Sequence, residues 1–381
     1  MAGKAMGPCL DCKVAPATQT VRKRDLCQQC FFLFIGSKVV KRMEKYRPRN
    51  AEKNNQRKFL LPLSYGVSSS TLLHILNLQL ERQISSGLGR RTYEIHVLNV
   101  GICGQPDNHR LDLFCEAYPL HTYTQVPLHS IFKYDTAIED IISEYGGPEF
   151  RDDQSKMDQE RLDHFRLSLS TAAARTDIDG ILLTRLVVAI AKELDCDAIL
   201  WGDSDTRLAS KALSNVAKGR GFSAPWDVCD GMTPWGIQFN FPMRDVLKFE
   251  LSTYASLALP KSLNVVDSER PSVDNLSSKN LSIEDLLAHY VETQGEKYPG
   301  IMANIVRTID KLQAPAPDTG YKCVLCGMPV DMSGEDPSAL GGSGGSQYVL
   351  EDRRERPMTG TLCYGCARTR LDLVPPKSTP A

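Results

Sequence analysis

Eight cysteines stand in four Cys-x-x-Cys pairs, two pairs toward each end of the chain: Cys9/Cys12, Cys27/Cys30, Cys323/Cys326 and Cys363/Cys366. Each pair makes a tight knuckle, and two knuckles supply the four thiolates of a tetrahedral zinc site. The first set reads Cys9-x2-Cys12-x14-Cys27-x2-Cys30, close to zinc-ribbon spacing. The second has 36 residues between its pairs, and Gly341-Gly342-Ser343-Gly344-Gly345 explains the gap as a flexible insertion. Zinc is the expected occupant, about two ions per chain. An iron–sulfur cluster or a redox pair is the alternative for the same residue types. The remaining Cys103, Cys115, Cys196 and Cys229 are single, which is the pattern of small buried hydrophobes.

Charge divides the chain unevenly. The net charge is −1, yet residues 1–58 carry 14 Lys/Arg against 4 Asp/Glu, leaving 31 against 42 for the rest. A basic arm on an acidic body is the pattern of an end that meets a phosphate backbone. Arg22, Lys23 and Arg24 sit between the first two knuckles, and Lys38, Lys41, Arg42, Lys45, Arg47 and Arg49 follow in quick succession. These are the leading candidates for nucleic-acid contact. Lys218 and Arg220 are candidates for a second basic edge on the core. No segment has the roughly 18 apolar residues that cross a bilayer, because Arg185 interrupts Ile181–Ala191. The N-terminus shows no signal-peptide apolar region. An intracellular, cytoplasmic protein with no membrane association is expected, and there paired cysteines ligate metal more often than they form disulfides.

Between the cysteine sets the pattern is α/β. Phe59–Ser64, Tyr93–Val100, His121–Val126 and Ala198–Gly202 read as strands. Helices are expected through Leu72, Leu73, Leu76, Leu80 and Ile84, over Leu111–Tyr118, from a cap at Asp177 to about Leu194, over Asp203–Lys218, after Pro242, and over 282–292 and 299–312. Alternating strands and helices predict a parallel sheet covered on both faces. Residues 144–162 read as a polar loop. The expected organisation is a basic zinc-ribbon-like head (1–36), a basic linker or helix (37–58), an α/β domain (59–313) and a C-terminal zinc module (318–375).

A strand running into Ser64-Tyr65-Gly66-Val67-Ser68-Ser69 and then a helix aims backbone amides and a positive helix end at one point, a geometry that binds phosphate. The segment resembles the pyrophosphatase (PP) loop of ATP-dependent tRNA thiolases, Ser-Gly-Gly-x-Asp-Ser. Ser64, Gly66 and Ser69 match, Tyr65 replaces the first glycine and Ser68 replaces the aspartate. A tyrosine there is expected to crowd the phosphates. The resemblance continues through Gly202-Asp203-Ser204-Asp205-Thr206-Arg207-Leu208-Ala209 and Ala217–Gly221, through Phe241-Pro242-Met243-Arg244-Asp245 with Glu250, Tyr254 and Ala255, through Pro299–Leu312, and through Leu362-Cys363-Tyr364-Gly365-Cys366. Along most of its length the chain resembles the cytoplasmic tRNA 2-thiolation protein 2 family.

That resemblance implies an adenine-nucleotide-hydrolase-like core with zinc modules at both ends. It implies the non-catalytic partner in a heterodimeric tRNA thiolase that forms 5-methoxycarbonylmethyl-2-thiouridine at the wobble uridine. ATP is then used by the catalytic subunit, and sulfur comes from a thiocarboxylated ubiquitin-like carrier. Ser64, Gly66, Ser68, Ser69, Gly202 and Asp203 become a degenerate nucleotide loop, and no catalytic residue is assigned. The active thiolases carry reactive cysteines ahead of the Gly202 loop, whereas this chain has none between Cys115 and Cys196. Two rivals stand beside this: an active sulfurtransferase with an unorthodox loop, and a zinc scaffold for conjugation of proteins to the carrier. Asp203 and Asp205 are read as helix caps, with magnesium ligation as the alternative.

Overall fold

A computed structural model describes residues 7–46, 56–88, 91–102, 107–146, 150–169, 171–265, 282–312, 322–330 and 362–368. The hairpin β1 (Gln19–Val21) and β2 (Arg24–Leu26) joins the first two knuckles and leads into helix α1 (Gln28–Met43), which runs through the boundary expected at residue 36. Phe31, Ile35, Val39 and Met43 recur every fourth residue on α1 and are buried. Each such side chain contributes about 1.5–3 kcal/mol, so an apolar stripe is a main part of what holds α1 to the core.

The core begins with β3 (Arg57–Pro62), α2 (Val67–Gln83), β4 (Tyr93–Gly101), α3 (Asn108–Ala117) and β5 (Thr122–Pro127). Helices α4 (Ile131–Tyr134), α5 (Ile138–Tyr145), α6 (Asp158–Ser168) and α7 (Ala172–Glu193) precede β6 (Ala198–Leu200). Then come α8 (Asp205–Ala217), α9 (Ala224–Val228), β7 (Gly231–Met232), β8 (Gln238–Asn240) and α10 (Lys248–Ala258). The helices α11 (Ile283–Lys297) and α12 (Pro299–Lys311) pack on α8, and α13 (Tyr364–Arg368) carries the last knuckle. Strand order is β5-β4-β3-β6-β8-β7, parallel except for β7.

Strand alternation splits the core. Phe59, Leu61, Ile95 and Val97 join the cluster under α1, α2 and α10, while Leu60, Leu98, Ile199 and Phe239 join the one under α7, α8 and the C-terminal module. The parallel α/β sheet expected from the sequence is present. Two expectations fail locally. The polar stretch 144–162 is not one loop, because α6 starts at Asp158 and uses a buried arginine: Arg161 donates to Asp152 at 2.6 Å and Glu139 at 2.9 Å. Asp177 is not a cap. Thr171 caps α7 by accepting from the Ala174 amide, and Asp177 lies buried in the helix interior. No described helix is long and apolar enough to cross a membrane. The linker at 314–317 and the insertion at 341–345 lie outside the described residues.

Candidate functional site

The sheet's connections reverse between β3 and β6, and ligands of open α/β sheets bind beyond the carboxyl ends of the strands at such a point. Here β3 passes into Ser64-Tyr65-Gly66 and the start of α2, and β6 passes into Trp201–Ser204 and the start of α8. The two loops touch so closely that a Cβ on Gly202 would lie 2.7 Å from the Ser69 Cα. With Ser64, Gly66, Ser68, Ser69, Trp201 and Asp203 they line a cleft of about 350 Å³. The nucleotide-loop residues picked from the sequence are thus brought together.

Tyr65 does not crowd the cleft. Tyr65 has φ +60, a left-handed backbone that glycine adopts freely and tyrosine does not. Its ring turns away from the cleft and is only 6% exposed, 5.4 Å from the Phe114 ring and 4.7 Å from the Arg110 guanidinium. The expected crowding is therefore corrected, since core packing offsets the backbone strain and leaves the mouth clear. Part of the loop bonds to itself. The Ser64 amide donates to Ser69 Oγ at 3.3 Å, the Gly66 amide donates to Ser64 Oγ at 3.4 Å, and the two hydroxyl oxygens lie 3.2 Å apart. Carboxylates oppose the cleft's cations. Lys211 donates to Asp203 at 2.5 Å, with Arg207 at 3.9 Å, and Lys248 pairs at 2.5 Å with Glu292 on α11, which borders the cleft with Ala288. Among the described residues lining the cleft there is no cysteine. Burial raises the thiols of Cys115, Cys196 (to about 11) and Cys229 (to about 12), the reverse of activation. Cys103 lies outside the described residues.

Neither aspartate beside the cleft is the cap. Ser204 Oγ accepts the Arg207 amide at 3.2 Å and caps α8. Asp205 is buried with Oδ1 unpartnered, and burial pushes its carboxyl up to about 6. A raised carboxyl favours the folded state while protonated, and that contribution is lost as pH rises through about 6. Asp205→Asn is therefore expected to stabilise the protein at neutral pH by on the order of 2 kcal/mol. The gain should be flat above about pH 7 and shrink as pH falls from about 6 to about 4 in urea unfolding of both proteins; a pH-independent difference would contradict it.

Both cysteine sets converge. In each, the four sulfurs lie within 4.8 Å of one another. Cys12 and Cys27 sulfurs are 3.8 Å apart, as are those of Cys326 and Cys363. Four bonds of about 2.3 Å to a tetrahedral ion separate sulfurs by about 3.8 Å, whereas a disulfide draws them to about 2 Å. Cys9, Cys12, Cys27 and Cys30, and likewise Cys323, Cys326, Cys363 and Cys366, fit one zinc ion per set. In the first set Cys12 is exposed, while in the second Cys323, Cys326 and Cys366 are buried.

The basic candidates separate into different roles. Arg22 donates to the Glu250 carboxylate at 2.7 and 3.0 Å and to the Asp245 carbonyl at 2.8 Å. Lys38 reaches the same carbonyl at 2.9 Å, Arg42 meets the Asp245 carboxylate at 2.7 Å, and Lys45 bonds Asn240. These four form a seam between head and core. Arg24 pairs with Asp11 and lies 5.9 Å from the Phe34 ring centre. Lys218 and Arg220 do not form an exposed edge, because both are paired to buried Asp177, at 2.7 Å and 2.6 Å. Lys23 and Lys41 are exposed with no side-chain partner among the described residues. Arg47 and Arg49 lie outside the described residues. The sequence reading missed Glu250 and Asp177 as anchors and Arg185 as anything more than an interruption. A charge inside an apolar helix run is itself the signal of a buried partner.

A sequence profile described as "Cytoplasmic tRNA 2-thiolation protein 2" matches residues 282–368. The protein of that name from Ajellomyces capsulatus (strain NAm1 / WU24) is 84% identical over 346 residues, covering 91% of this chain and 96% of that one. The chain belongs to the cytoplasmic tRNA 2-thiolation protein 2 family. The relative from Coccidioides immitis (strain RS) is 50% identical, covering 97% of this chain and 99% of its own. Among solved structures, the U34-tRNA thiolase NcsA from Methanococcus maripaludis with its 4Fe-4S cluster aligns with a TM-score of 0.54 at 15% identity, over 86% of this chain and 95% of that one. That likeness shows the α/β fold expected from the sequence.

Proposed function

We propose that this family member is the non-catalytic subunit of a cytoplasmic tRNA thiolase, acting in 2-thiolation of the wobble uridine. The observation that carries the non-catalytic part is the cleft. Ser68 stands in place of the aspartate, the cations Lys211 and Lys248 are paired with carboxylates, and none of the described residues lining it is a cysteine. The family's name, the thiolase fold and the basic head support a tRNA-directed role. In this reading a catalytic thiolase subunit forms a heterodimer with the chain, consumes the ATP and receives sulfur from the ubiquitin-like carrier. The chain holds tRNA against that partner through the cations its own fold leaves unpaired, Lys23 and Lys41, with Arg24 beside them.

Cells lacking this chain are expected to lose the 2-thio group from wobble uridine while retaining its C5 side chain, read by mass spectrometry of bulk tRNA. Complementation with Ser68→Ala should restore thiolation to near the wild-type level, because no step depends on that hydroxyl. Restoration by wild type but not by Ser68→Ala would assign chemistry to this cleft and overturn the non-catalytic role. Unchanged thiolation without the chain would overturn the proposal as a whole.

A further inference from the structure

The two cysteine sets differ in what lies behind their sulfurs. Arg220 is 8% exposed, and its guanidinium spans two partners. Nη1 and Nη2 donate to the two Asp177 oxygens, each at 2.6 Å, and Nη2 also donates to the Cys366 sulfur at 3.4 Å. The fit is close, since a Cβ on Gly365 would lie 2.4 Å from Arg220 Cγ. A second buried arginine grips the other knuckle. Arg185 donates through Nη1 to the carbonyls of Val324 (3.1 Å) and Leu325 (2.9 Å), between Cys323 and Cys326, while its Nε is fixed by Asp135 at 2.6 Å. The Tyr145 hydroxyl donates to the Cys366 carbonyl at 2.9 Å. The first set has no counterpart among the described residues. Arg22 and Arg24 face Glu250 and Asp11, and Cys12 is open to solvent.

A divalent ion with four thiolates carries a net charge of about −2, which is unfavourable in an apolar surrounding unless donors and cations face it. A donor to a metal-bound sulfur draws charge from it, and such outer-shell partners typically change metal affinity about 10–100-fold. We propose that Arg220 is an outer-sphere partner of the C-terminal metal centre, and that its N–H···S bond to Cys366 makes this centre bind zinc more tightly than the N-terminal one. The inference rests on metal binding by the two cysteine sets and is independent of the role in tRNA thiolation.

The test uses the full-length zinc-loaded chain in competition with a chromogenic chelator. Wild type is expected to give up its ions in two steps, and Cys12→Ser should remove the weaker one. Arg220→Met should weaken the tighter step about 10–100-fold and leave the weaker one in place. A tighter step unchanged in Arg220→Met overturns the proposal, as does assignment of the weaker step to the C-terminal set. Arg220→Lys, which keeps the charge beside Asp177 but loses the guanidinium fork, covers the case in which the methionine variant does not fold. With cobalt in place of zinc, its sulfur-to-metal charge-transfer band is expected to move relative to wild type. A clamp acting only through Asp177 would leave that band where it is, and that result also overturns the proposal.

Discussion

Replacing Cys326 by serine is expected to remove one of two zinc ions per chain and, with it, cooperative folding of the C-terminal side of the core. Structural zinc contributes on the order of 10 kcal/mol of apparent binding free energy, comparable to the whole stability of an ordinary domain at about 5–15 kcal/mol. The loss cannot stay local. Cys323, Leu325, Cys326, Met328, Val330, Leu362 and Cys366 belong to the same apolar cluster as Leu208, Val291, Met302 and Val306. Arg185 and Arg220 would also lose the groups they face and become buried charges with fewer partners. Metal analysis and a thermal melt of the purified chain check this. The expected result is two zinc ions falling to one, with the main transition lost or lowered by tens of degrees. Iron in the wild type would contradict the zinc assignment, and an unchanged melt would contradict the shared core. Cys12→Ser should be milder. Cys12 is exposed, and α1 remains docked by Phe31, Ile35, Val39 and Met43.

What was legible in the sequence follows from how local each signal is. The cysteine sets were readable because two-residue spacing is local geometry, and the tetrads assemble from the residues it picks out. The sheet was readable because Tyr93–Gly101 and Ala198–Leu200 carry strand patterns of their own. The helix α6 was not, since its inward face uses Arg161 in place of an apolar residue and its partners Asp152 and Glu139 are supplied by other segments. The direction of Tyr65 was hidden for the same reason. A sequence shows that tyrosine replaced glycine, but the Phe114 and Arg110 side chains that draw it inward lie more than forty residues away. Charge was the least legible of all. Fourteen cations in the first 58 residues look like one surface, yet Arg22, Lys38, Arg42 and Lys45 are spent on Glu250, Asp245 and Asn240, across a sequence gap no spacing rule spans.

That division of the basic head sets up a second large effect. Arg22→Ala is expected to destabilise the protein by about 3 kcal/mol, while Lys23→Glu next to it should change stability by less than about 0.5 kcal/mol. The two members of the Arg22–Glu250 pair are unequally placed, with 39% of the Arg22 side chain exposed and none of Glu250. Removing the arginine therefore returns nothing buried to water and leaves a buried carboxylate with the Leu247 amide, at 3.0 Å, as its remaining close donor. The partial exposure of Arg22 keeps the effect at the low end of the range for broken buried pairs. Urea unfolding of the two variants measures the difference directly. RNA binding should show the opposite order. Lys23→Glu, exposed and unpaired, is expected to weaken tRNA binding by the reconstituted thiolase and lower its salt slope by about one. Arg22→Ala, assayed well below its unfolding midpoint, should leave that slope nearly intact. A slope reduced equally by both substitutions would mean that Arg22 leaves Glu250 for phosphate in the complex. Reversing all three charges of Arg22, Lys23 and Arg24 together would confound head docking with RNA contact, because the first belongs to the seam and only the others face outward.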